Sequence, residues 1–153
     1  MPDYVAILED CPGRAAEMRA CLGELLPNHR HVLFDDAGEM IAWLGAHLGE
    51  VALISLVHDL PLPTKRKGPS SDPGTGRMVA DYLADQPPVC PVIVHSSSDH
   101  FAPGMLQVLI EQAWPCRRVY TFDEHRWVRA AWAAEVRRLI NAGWIQGSPE
   151  EAV

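Results

Sequence analysis

Apolar residues along the chain alternate between two arrangements, short unbroken runs and longer stretches with helical spacing. Tyr4–Leu8, Val51–Leu56 and residues 31–34 and 91–94 are runs of the first kind. They read as strands covered on both faces. A weaker run over 118–122 predicts a fifth strand. Between them the period changes. Met18, Leu22, Leu25 and Leu26 recur at i, i+4, i+7 and i+8, and Pro12 suits a first helical turn, so a helix is expected from Pro12 to about Pro27. Asp36 and Glu39 have the spacing of a capping box ahead of a helix lined by Ile41, Leu44 and Leu48. Met78, Val79, Tyr82 and Leu83 mark a third helix and Leu106, Leu109, Ile110 and Ala113 a fourth. Val128, Trp132, Val136, Leu139 and Ile140 mark a fifth.

Five strands alternating with five helices imply a three-layer α/β sandwich around a parallel sheet. The expected strand order is 2-1-3-4-5, with the switch point between the first and third strands. The whole reads as a single domain over 1–147 followed by a frayed tail over 148–153. The stretch 60–75, rich in Pro, Gly, Ser and Lys, reads as a long insert after the third strand.

A length of 153 residues suits one core. The net charge of −7 disfavours non-specific DNA binding. No apolar run reaches the roughly 18 residues a spanning helix needs, and the first strand starts too early to leave room for a signal peptide. Cys11, Cys21, Cys90 and Cys116 lack the spacing of a zinc clip or a disulfide framework, which fits reduced thiols. These features set the expectation of a cytoplasmic protein outside the membrane.

In an open α/β sheet, ligands bind beyond the carboxyl ends of the strands. Three of those ends carry chemistry here: Glu9-Asp10, His58-Asp59, and His95-Ser96-Ser97-Ser98. Crowded carboxylates repel, and a divalent cation held by Glu9, Asp10 and Asp59 relieves that repulsion. Glu9 and Asp10 are equally placed to favour the N-terminus of the first helix. His58 and His95 suit general base and acid work on one phosphate, because the ordinary imidazole pKa of about 6.5 lies near working pH. Alternatively, each ring satisfies a carbonyl or carboxylate at its strand end. The serines offer a phosphate cradle or a solvated loop. Lys65, in the basic run Lys65-Arg66-Lys67, lies in either a phosphate-gripping flap or a solvated loop.

Over nearly its whole length the chain resembles the receiver domains of response regulators, which have a flavodoxin-like fold. The shared features are an acidic pair after strand one (Glu9, Asp10), an Asp after strand three (Asp59) and a hydroxyl after strand four (Ser96 or Ser97). The resemblance implies Mg²⁺ on the acidic pair, a phosphoryl group on the third Asp and the hydroxyl reading it. The family's lysine after strand five has no counterpart.

A narrower resemblance is carried by Ser55-Leu56-Val57-His58-Asp59-Leu60, Gly74-Thr75-Gly76, Val92-Ile93-Val94-His95-Ser96 and Gly104-Met105. In order and position these are similar to the cyclic-phosphate processing receiver-like family, with Val57 where that family's first Asp stands. It implies action on cyclic or terminal phosphates of nucleotides, with His58, Asp59 and His95 as catalytic residues. Thr75, Ser96, Ser97 and Lys65 would hold phosphate, with Mg²⁺ or another divalent ion as cofactor. The alternative is a degenerate receiver that signals through protein contacts without phosphorylation.

Trp127 and Trp132 are five positions apart, about 140° at 3.6 residues per turn, so one α-helical stripe does not hold both. With Trp132 on the core side, Trp127 is expected to face the flank near Trp114. That would give a homodimer through helix four, strand five and helix five.

Overall fold

The computed structural model describes residues 2–60 and 72–146. Lys65 and the rest of the basic run, and the expected tail over 148–153, lie outside the described residues.

The strands are β1 (Tyr4–Leu8), β2 (Arg30–Phe34), β3 (Val51–Leu56), β4 (Val92–His95) and β5 (Cys116–Val119). All neighbouring pairs are parallel, and the order is β2-β1-β3-β4-β5 as expected. The helices are α1 (Pro12–Leu25), α2 (Ala37–His47), α3 (Gly76–Ala84), α4 (Ala102–Glu111) and α5 (Ala133–Asn141). Asp36 caps α2, its carboxylate accepting the Glu39 amide at 2.9 Å. β5 begins two residues earlier than the sequence indicates and stops at Val119, leaving Tyr120 and Phe122 exposed.

Side chains alternate across a strand, so each strand serves two cores. Val5, Ile7, Leu53, Ile93 and Val119 pack with Met18, Leu22, Trp132 and Val136 on the α1/α5 side. Ala6, Leu8, Ile54, Leu56, Val92 and Val94 pack with residues of α2, α3 and α4, among them Met40, Leu44, Val79, Met105 and Leu109. β3 is buried along its whole length, which explains its continuous apolar run.

The expectation for Trp127 is overturned. Both Trp127 and Trp132 are 0% exposed and belong to the α1/α5-side core. The reason is a π-helical turn over Val128–Trp132, in which the Ala133 amide donates to the Val128 carbonyl five residues back. That wider turn brings residues five apart toward one face. Trp114 is also buried, its indole N–H donating to the Leu83 carbonyl at 2.9 Å. The homodimer face therefore loses both of the indoles on which it was argued.

Candidate functional site

The carboxyl edge of the sheet is built by the turns after β1, β3, β4 and β5. Strand parity decides which way Glu9 and His95 point. Glu9 continues the parity of Val5 and Ile7, and His95 that of Ile93, so both turn toward the α1/α5 layer. There they meet. His95 Nε2 lies 3.1 Å from Glu9 Oε1, with both side chains fully buried. Glu9 Oε2 accepts the backbone amides of Asp10 and Cys11, each at 3.0 Å, and Arg14 Nη1 stands 4.0 Å away.

The other side of His95 is equally occupied. Its Nδ1 lies 2.7 Å from Ser55 Oγ, and Ser55 Oγ accepts the Trp132 indole N–H at 2.9 Å. An ionised carboxylate only accepts, so the proton on Nε2 points at Glu9, while the Ser55 hydroxyl keeps both a donor and a second lone pair with which to meet Nδ1. Trp127 stacks against the ring at 5.6 Å between centroids. Burial presses Glu9 toward its neutral form, but the His95 hydrogen bond, the charge interaction with His95 and the Cys11 amide outweigh it. They hold its carboxyl below the ordinary value. Asp10 moves the opposite way, pushed up by burial and then by the charge of Glu9.

His58 lies on the opposite face. The alternation of β3 ends at Leu56, since Val57 packs in the same core as Leu56, and the His58 ring stacks flat on Phe101 at the start of α4, at 4.1 Å and 5°. Its Nδ1 is 2.9 Å from Asp59 Oδ1, and the Asp59 side chain is 77% exposed. His100 meets the same Phe101 edge-on at 4.6 Å. The two histidines thus meet different partners, His95 in the α1/α5-side core and His58 against Phe101, where its side chain is 8% exposed.

The expected metal ligands are not gathered into one site. Both Glu9 oxygens are engaged by protein donors, and no group of three His, Cys, Asp or Glu among the described residues is placed to hold a metal ion. Three-carboxylate ligation by Glu9, Asp10 and Asp59 does not fit this geometry.

Ser96 and Ser98 stitch the β4–α4 turn. Ser96 Oγ accepts the Ser98 amide and Ser98 Oγ the Phe101 amide, each at 3.1 Å, while Ser97 is exposed. Thr75 is the N-cap residue of α3, and its hydroxyl makes no capping bond. The next residue, Gly76, donates its amide to the His58 carbonyl at 2.9 Å. A Cβ at Gly76 would stand 1.8 Å from the Val57 carbonyl oxygen, so only glycine permits this approach of α3 to β3. Val57 itself is buried in the α2–α4-side core.

Four contributors escape a reading by motif. Phe101 and Trp132 look like ordinary core aromatics. Arg118 reaches back from β5 to donate to the Ser96 carbonyl at 3.0 Å, and pairs with Asp99 at 3.0 Å. Ser55 did leave a signal, as a lone hydroxyl inside an otherwise apolar buried strand, where it must find a partner.

No protein-family model matches the chain, and no curated protein matches it. Solved structures do. A response regulator from Colwellia psychrerythraea superposes with a TM-score of 0.64 at 14% identity, over 93% of this chain and 99% of that one. A response regulator receiver domain from Rhodospirillum rubrum gives 0.62 at 15% identity, over 94% and 96%. The Mn²⁺-bound form of response regulator Rcp1 gives 0.62 at 17%, over 96% and 98%. The chain therefore has the receiver fold. No helix among the described residues is long and apolar enough to cross a membrane.

Proposed function

We propose that this receiver-fold domain binds a phosphate-bearing small molecule, a nucleotide or cyclic phosphate, at the carboxyl edge of its sheet, with His58 as the contacting group. The observation that carries the reading is the His58–Asp59 pair, 2.9 Å apart, with the imidazole held flat on Phe101. With Nδ1 turned to the carboxylate, proton donation or acceptance toward a ligand falls to Nε2. Thr75 and Ser97 supply hydroxyls on neighbouring turns, and Lys65 joins them by its place in the sequence. Asp59 orients the ring. Glu9 and His95 act from beneath, fixing the Asp10 and Cys11 amides that shape the turn after β1.

Calorimetric titration with AMP, a cyclic nucleotide monophosphate and inorganic phosphate tests this. Saturable binding of a nucleotide is expected, weakened roughly tenfold or more in His58→Ala, the loss of one contact worth about 1.4 kcal/mol. Absence of binding by all three probes refutes it.

A second reading is favoured by one observation. Val57, where the resemblance calls for an acid, is 7% exposed within the core. A protein-interaction module that is never phosphorylated fits that substitution. Intact-mass spectrometry after acetyl phosphate treatment with Mg²⁺ then shows the unmodified chain, whereas stoichiometric phosphorylation of Asp59 restores the ordinary receiver role.

A further inference from the structure

We propose that His95 takes, on Glu9, the place of a divalent cation, so that this acidic corner is closed permanently by the protein itself. The sequence resemblance assigns Glu9 to a metal, and the geometry gives it other partners. A carboxylate presents about four lone-pair sites. On Glu9 the two nearest the turn accept the Asp10 and Cys11 amides, and a third accepts from His95. The one site left is on Oε1 of a side chain with no exposure to solvent, so a cation reaches it only by opening the packing around the Glu9–His95 contact and giving up its own hydration.

The histidine is itself pinned. Ser55 and Trp132 fix its Nδ1 side, and Trp127 covers its ring. Swinging away to admit an ion would break the bond to Ser55 and open the core between the sheet and the helix after Trp132. A continuous line of contacts thus runs from Trp132 on the helical layer through Ser55 and His95 to Glu9 and the backbone of the rim. The same residues that exclude the ion hold the turn after β1 in shape, the task that ligation would otherwise perform. This inference stands on contacts alone, whether or not a phosphate ligand binds at His58.

Nuclear magnetic resonance on the ¹⁵N-labelled full chain, with the diamagnetic ion of MgCl₂ as the probe, reads the contact. The expected result is a slowly exchanging His95 Nε2–H signal that keeps its position and intensity in excess Mg²⁺. Loss of that signal on adding Mg²⁺, or a ring proton found on Nδ1 instead, overturns the proposal. Thermal melting gives a second measurement. The midpoint is expected to be the same in MgCl₂ as in EDTA, and a midpoint raised by Mg²⁺ and lost in Glu9→Gln overturns the proposal.

Discussion

Glu9 and His95 are joined at 3.1 Å although 86 positions separate them in the chain, and neither side chain touches solvent. Removing one partner strands the other. His95→Leu leaves Glu9 with an unanswered Oε1 and Ser55 with an unanswered hydroxyl, a cost of roughly 2–5 kcal/mol for an uncompensated buried charge and hydrogen bond. Ser55→Ala removes a neutral group but orphans the Trp132 N–H, and should cost about 1–3 kcal/mol. Urea denaturation followed by circular dichroism checks both, and the ranking His95→Leu above Ser55→Ala is the expected outcome.

Stability should fall in acid by a route specific to this pair. The folded-state pKa of Glu9 is depressed, so its contribution is fully present above the ordinary value of 4.5 and is lost as pH falls through the lower folded value. Asp10 has the opposite sign. Its folded pKa is raised above 3.8, so the group favours the folded state only when protonated, and burdens it once ionised. Glu9→Gln is therefore expected to be less stable than the parent at neutral pH, with the gap narrowing below pH 4.5. Asp10→Asn is expected to be more stable at neutral pH, with its gain fading as pH falls toward 3.8. Melting midpoints across that range decide whether the two variants diverge in this way.

The π-helical turn makes a prediction of its own. Ala130 is exposed within it, so deleting that residue removes the extra position without deleting a core contact. The segment then closes as α-helix with Trp127 and Trp132 four positions apart, about 400° or just over one turn, so the two indoles keep one face as they do at five positions across the wider turn. Both should therefore stay buried. Unchanged tryptophan emission is the expected signature for the deletion as for Ala130→Ser, which keeps the length, and a red shift on deletion would show that the extra position is what seats Trp127.

What the sequence made legible was whatever a one-dimensional period records. The apolar runs of β1, β3 and β4 and the strand order followed from alternation alone. β5 was displaced because Arg117 and Arg118 interrupt its apolar pattern at the sheet edge, while Tyr120 and Phe122 continue it in residues that turn out exposed. Trp127 was turned outward because a 3.6-residue period was applied across a wider turn. At the site, the spacing placed polar residues at strand ends but not on a face. His95 keeps the parity of β4, but the alternation of β3 is lost where Leu56 and Val57 enter the same core, so the side taken by His58 is fixed by its contact with Phe101 and not by a period.

Gly76 is where the fold and the rim meet most tightly. Its amide bonds the His58 carbonyl at 2.9 Å, and a methyl group there would fall 1.8 Å from the Val57 carbonyl oxygen. The obstacle is backbone on the most buried strand of the sheet, so α3 must move rather than a side chain. Gly76→Ala should cost at least the roughly 1–3 kcal/mol of an overpacked core. It should also shift His58 and weaken nucleotide binding beyond what the lost stability explains. Gly104→Ala is the matched control, because its nearest obstacle, at 3.0 Å, is the Arg77 guanidinium, the far end of a flexible side chain. That variant should stay within about 0.5 kcal/mol of the parent or gain slightly from its helical position. Equal behaviour of the two variants in denaturation would show that α3 yields freely at Gly76 and does not fix the position of His58.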